Sequence, residues 1–127
     1  MNITLLLSIG FGGFMGAIAR FSLSTVVNKL SGSPFPWGTL SVNILGSFLI
    51  GFLFFYFSQI NISANQKAMF ITGLLGALTT FSTFSLDTIL LMQQELYIKA
   101  ISNLALNVVL SLGATLLGMF VFRRVYL

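Results

Sequence analysis

The chain has 127 residues, a net charge of +4, neither cysteine nor histidine, and a composition that is 57% hydrophobic and 6% charged. A soluble domain of this size has too little interior to hide that much apolar surface, and ordinary globular chains carry about a quarter charged residues, so the composition describes a single unit immersed in a lipid bilayer. It also excludes a disulfide framework, a cysteine metal site and histidine chemistry; the only acids, Asp87 and Glu95, are thin material for hydrolysis, and no nucleic-acid partner is expected.

A spanning helix needs about 20 mostly apolar residues, and four stretches qualify. The first runs from about 4 to 27. It has no basic segment ahead of its apolar run, and its first charge, Arg20, comes after that run, the reverse of a signal peptide; it is expected to remain as a transmembrane helix. Gly12 and Gly16 share one face and Gly13 and Ala17 the next, a spacing of small residues that lets another helix approach closely. Arg20 lies one turn beyond Gly16. It is either a snorkelling arginine near the interface or a functional positive charge.

A loop with Lys29, Pro34 and Pro36 ends the first span, since Pro and Gly punctuate helices. Trp37 opens the second, about 37 to 57, as an interfacial anchor. Thr39, Asn43, Ser47 and Gly51 recur every four residues along it and so share a face. Asn43 has two donors and an acceptor to satisfy; it serves either as interhelical glue or as a lining group of a polar pathway.

The third span, about 66 to 92, contains the run Gly73-Leu74-Leu75-Gly76-Ala77-Leu78-Thr79-Thr80-Phe81-Ser82-Thr83-Phe84-Ser85. Its hydroxyls compete with the helix for backbone hydrogen bonds, which predicts a broken helix. A break in lipid frees backbone groups that must find other partners, and broken membrane helices use such groups to bind ions. Carbonyls near Gly76 and Thr79 would suit a small hard cation such as Na⁺. Amides and hydroxyls of the run, Ser82 and Thr83 among them, would suit an anion. Phe81 and Phe84, three residues apart, either pack against lipid and core or turn their partly positive ring edges to that anion.

After a short turn at 93 to 96 with Glu95 at its tip, the fourth span runs from about 97 to 122 and stops at Arg123-Arg124. Asn103, Asn107, Ser111 and Thr115 fall at successive fourth positions, a polar stripe roughly 18 Å long. Four spans place both termini on one side with Lys67, Arg123 and Arg124, against Lys29 and Lys99 on the other. Orientation normally follows a marked Lys/Arg excess in cytoplasmic loops; here the bias is slight, so the chain could insert both ways round and two opposite copies could pair as an antiparallel dimer.

The whole chain resembles the Fluc/CrcB family of microbial fluoride channels. The resemblance is carried by the run from Gly73 to Ser85, by Gly12, Gly13, Gly16 and Arg20, by Trp37-Gly38-Thr39-Leu40 with Val42-Asn43, and by Gly113 and Gly118. Ala77 departs from it, standing where a second consecutive glycine is common; Ala is small enough for the break to survive. The resemblance implies an all-α membrane protein of four helices with a broken third helix, assembled as an antiparallel, dual-topology homodimer in the inner (plasma) membrane. Two fluoride pores would be lined by both subunits, with Phe81 and Phe84 as an aromatic box, Asn43 as a nearby donor, Asn107, Ser111 and Thr115 as a polar track, and Arg20 near the vestibule. It further implies a central, non-transported Na⁺ held by the carbonyls of Gly76 and Thr79, and export of cytoplasmic fluoride as the physiological role.

The competing reading is a small multidrug transporter, also four helices and antiparallel. That mechanism looks for a carboxylate in the first span, and no acid precedes Asp87. A membrane assembly subunit would leave its polar residues unorganised, whereas here they fall on lines, and an intramembrane enzyme lacks its reactive groups.

Overall fold

The computed structural model describes residues 1–127 and is helical throughout, with no strands. Helix α1 (Ile3–Ser31) is capped by the Asn2 side chain, whose oxygen accepts from the Leu5 amide at 2.7 Å, and ends on Gly32 in the left-handed region at φ 58°. That geometry is costly for a side chain with a Cβ and free for glycine. Across the Pro34–Pro36 loop, the Asn28 side chain accepts from the Gly38 amide at 2.8 Å and ties the end of α1 to the start of α2 (Trp37–Gln59).

The third span is a composite. It opens with α3 (Ala64–Ala68), whose N-terminus carries a reciprocal capping box between Ser63 and Gln66. The backbone then widens into a π-helical segment over Met69–Leu75 and tightens into the single turn α4 (Gly76–Leu78). Thr79 and Thr80 take extended backbone, and α5 (Phe81–Gln93) follows with Thr80 as its N-cap. A tight turn with Glu95 at φ 60° leads into α6 (Tyr97–Tyr126).

Four segments, Ile3–Ser31, Trp37–Gln59, Ala64–Gln93 and Tyr97–Tyr126, are long and apolar enough to cross a membrane. Their packing is uneven. Helices α2 and α6 share the most extensive face, α1 lies along the π-helical segment and α4, and α5 leans on α6. The approach of α1 to the third span depends on small residues: a Cβ on Gly12 would run into the Met69 carbonyl, and one on Gly16 into the Leu74 carbonyl. A compact core of Val42, Leu75 and Leu78 sits where α2 meets the third span. Only 24 of 127 residues are buried, so the apolar surface lies mostly outside. Phe11, Phe14, Ile18 and Phe21 along α1 and Leu112, Leu116 and Phe120 along α6 are all exposed; such faces are stable against lipid tails or another apolar surface, not against water.

Candidate functional site

The site is built around the two extended residues. Thr80 is buried, so its amide and carbonyl need partners, and both are supplied by one side chain from α2. Asn43 Oδ1 accepts from the Thr80 amide at 2.8 Å while Asn43 Nδ2 donates to the Thr80 carbonyl at 3.1 Å. The carboxamide pairs with the peptide as a neighbouring strand would, which is what makes an extended residue tolerable at membrane depth. The second Nδ2 proton goes to Asn107 Oδ1 at 2.9 Å, so every donor of Asn43 is taken.

These diversions release two carbonyls. In an uninterrupted helix the Thr80 amide would bond the Gly76 carbonyl and the Thr83 amide the Thr79 carbonyl. Here the Thr80 amide bonds Asn43, and the Thr83 amide bonds the Thr80 hydroxyl at 3.1 Å. Gly76 and Thr79 therefore have carbonyls without their helical partners at the break, and both residues line a cavity of about 410 Å³. Gly46 makes room opposite them: a Cβ at that position would strike the Thr79 methyl.

The same cavity is lined by Phe81, Phe84, Asn43, Asn107 and Ser111. Phe81 and Phe84 meet edge to face, with centroids 5.3 Å apart and planes inclined at 61°. Their surroundings differ sharply. Phe84 is 5% exposed, held under α6, whereas Phe81 is 78% exposed at the cavity's open side. Both stand at the N-terminus of α5, where the helix dipole and free amides favour negative charge, and no lysine, arginine or carboxylate lines the cavity.

On the other side of Thr80 lies a second cavity of about 250 Å³, lined by Arg20, Ser24, Thr39, Thr80 and Thr83. Thr80 thus forms the wall between a chamber with a fixed positive charge and one with none. Thr39 Oγ1 donates to Asp87 Oδ2 at 2.8 Å at the edge of this region.

The family relationship can be set beside this geometry. The CrcB family model, described as "CrcB-like protein, Camphor Resistance (CrcB)", matches residues 7–119. The chain belongs to the CrcB family. It is 52% identical over 126 residues to the "Fluoride-specific ion channel FluC" of Nitratiruptor sp., covering 99% of this chain and 98% of the relative. The same name is carried by a relative from Sulfurovum sp., 56% identical over 122 residues with 96% of each chain covered, and by one from Campylobacter fetus, 46% identical over 127 residues with 99% of each covered.

Among the residues singled out in this CrcB-family sequence, the structure brings Asn43, Gly76, Thr79, Phe81, Phe84, Asn107 and Ser111 around one cavity. Arg20 and Thr83 line the other. Ser82 is exposed, its hydroxyl 3.2 Å from that of Thr80. Thr115 borders neither: its hydroxyl donates to the Ser47 and Ser111 carbonyls, both at 3.1 Å, and clasps α6 to α2. Three contributors stand in the sequence as members of a run or stripe but without a role of their own. Thr80 is the residue on which both cavities turn, Asn103 is the 0% exposed first member of the α6 stripe, and Thr39 reaches Asp87 across 48 positions of sequence. A threonine at an interruption followed by helix is an N-cap signal that could have identified Thr80; the other two depend on which helices touch.

Proposed function

We infer that this chain is a fluoride-selective ion channel, not an enzyme, that lets cytoplasmic fluoride leave across the inner membrane. Near full-length similarity to proteins named for that activity supports the reading, and the observation that carries it is the lining of the large cavity. It joins a helix N-terminus, an edge-to-face phenylalanine pair and small hydroxyls, with no cationic side chain. Partial positive charges on ring edges and amides attract an anion without the deep well that a buried lysine would make, and conduction needs sites weak enough to leave. Arg20, one wall away, raises the local anion concentration and stays out of the narrow part.

The working form in this reading is an antiparallel homodimer of dual topology. Phe81 is exposed on the single chain and the cavity is open beside it, so a second copy would complete the enclosure and supply the other wall. Reporter fusions at the C-terminus should then show both orientations in cells; a single orientation would defeat this arrangement. The break in the third span also fits a resident Na⁺. Gly76 and Thr79 offer carbonyls released from helical bonding, and hard cations take such oxygens. Two carbonyls from each of two copies would share the ion, which would neutralise their dipoles and hold the breaks together.

The deciding experiment is efflux from liposomes. Purified protein should release trapped fluoride while largely retaining chloride; equal passage of chloride would remove the assignment.

A further inference from the structure

We propose that Asn103 and Thr88 are positioning residues that set the rotation of α5 and hence the placement of the Phe84 ring edge, a proposal that rests on the channel reading above.

The basis is a hydrogen-bond chain that leaves α5 and returns to it. It starts at the Thr80 amide, which donates to Asn43 Oδ1 at 2.8 Å. Asn43 Nδ2 donates to Asn107 Oδ1 at 2.9 Å, and Asn107 Nδ2 to Asn103 Oδ1 at 2.9 Å. Asn103 Nδ2 then donates to Thr88 Oγ1 at 2.9 Å, and Thr88 Oγ1 to the Phe84 carbonyl at 2.8 Å. The circuit runs from α5 to α2 to α6 and closes on α5 four residues from where it began.

Its direction is forced. Backbone groups cannot exchange donor and acceptor roles, so the Thr80 amide and carbonyl fix which end of the Asn43 carboxamide faces them. That leaves Asn43 a donor toward Asn107, whose own amine is held by the Asn103 carbonyl at 2.9 Å as well as by Asn103 Oδ1. Asn103 then has only its amine left for Thr88. No carboxamide can flip without opposing two like groups somewhere in the chain. All six residues are buried, and in a low-dielectric interior an unpaired amide or carbonyl costs about 1–3 kcal/mol. Rotation of α5 about its axis would break the circuit at its two interhelical links, Asn43 to Thr80 and Asn103 to Thr88, one on each side of the ring pair. Outside this circuit, the side-chain hydrogen bond that ties α5 to another helix is the one from Thr39 to Asp87, farther along the helix and on α2 rather than α6.

Asn103 itself lies outside the cavity lining. It acts through Thr88 on the turn of backbone that carries Phe84. A role in packing alone and a role in positioning differ in what they do to that ring.

The test places 4-fluorophenylalanine at position 84 of the full-length protein in lipid nanodiscs and reads its ¹⁹F resonance, with fluoride efflux measured in parallel on unlabelled protein. Thr88→Val keeps the shape and removes the link; Thr88→Ser restores the hydroxyl. Asn103→Ala is the milder second break, because the backbone carbonyl of residue 103 continues to hold the Asn107 amine. Thr88→Val and Asn103→Ala should each move the Phe84 resonance and lower efflux roughly tenfold or more, the scale seen when a supporting partner behind a preorganised site is removed. Thr88→Ser should return both to the unsubstituted values. The proposal is overturned if the resonance stays in place in both breaking variants, whatever happens to efflux, or if Thr88→Ser fails to restore it. If the unsubstituted protein passes no fluoride the channel reading falls, while the ring resonance still decides whether Asn103 and Thr88 position Phe84.

Discussion

The two halves of the third span are adjacent in sequence, equally apolar at a glance, and chemically opposite. The half ending at Thr79 is held by glycine-mediated contact with α1, and its open end offers carbonyl oxygens. The half beginning at Phe81 is held by a polar circuit through α2 and α6, and its open end offers amides, hydroxyls and ring edges. One interruption of a helix necessarily makes both: a C-terminus with free acceptors and an N-terminus with free donors. A membrane protein that needs a cation site beside an anion site can obtain the pair from a single break. The residue in between needs a partner for its own backbone groups, and here Asn43 satisfies both of them.

The largest expected effect therefore comes from removing it, since Asn43 serves both halves. Asn43→Leu strands the Thr80 amide and carbonyl and the Asn107 oxygen, each buried. At about 1–3 kcal/mol for each unsatisfied group, the loss rivals the entire stability of a small domain. Thermal unfolding in detergent should show a large drop or no folded protein. A variant that melts like the unsubstituted chain would mean that water, not Asn43, satisfies the break.

The two phenylalanines sharpen the contrast within the second half. Phe81→Ile and Phe84→Ile should each lower fluoride efflux by roughly tenfold, the equivalent of losing ring-edge attraction worth about 1.4 kcal/mol. Their effects on stability should part: Phe84→Ile shrinks a buried ring and should lower the melting temperature, whereas Phe81→Ile alters an exposed ring on the single chain. Equal efflux from both variants and the unsubstituted channel would return the pair to a packing role.

Much of this was legible in the residues. Four spans follow from apolar length, the contact between α1 and the third span from glycine spacing, and the site of interruption from a hydroxyl run where helix should continue. The stripe on α6 was legible as a face but not as a set of partners. Periodicity says that Asn103, Asn107, Ser111 and Thr115 look the same way; it does not say what looks back. In the folded chain the first two meet Thr88 and Asn43, Ser111 meets the cavity, and Thr115 meets the backbone of α2. The π-helical segment was not legible at all. Met69–Leu75 reads as ordinary apolar helix, and nothing in its residues marks the widened turn, which lies where α1 comes close enough for a Cβ on Gly73 to meet the Ile9 carbonyl. The pairing of Thr39 with Asp87 depends likewise on two helices meeting far apart in sequence.

The smallest effect tests the first half. If the carbonyls of Gly76 and Thr79 hold Na⁺, the folded form binds the ion and the unfolded form does not, so stability must rise with the logarithm of Na⁺ concentration once the site fills. At tenfold excess over its dissociation constant the gain is about 1.4 kcal/mol, a shift of a few degrees in melting temperature. Replacing Na⁺ with N-methyl-D-glucamine at constant ionic strength removes the ion without altering screening, because the bulky cation cannot reach carbonyls at a helix break. Melting temperature and fluoride efflux should both fall, and both should recover when Na⁺ is restored. The second half provides the internal control. Its amides and ring edges have no use for a cation, so Phe84→Ile should lower stability by the same amount with either cation present. A melting temperature indifferent to Na⁺ would leave the freed carbonyls to water and reduce the break to a single function, that of its N-terminal donors.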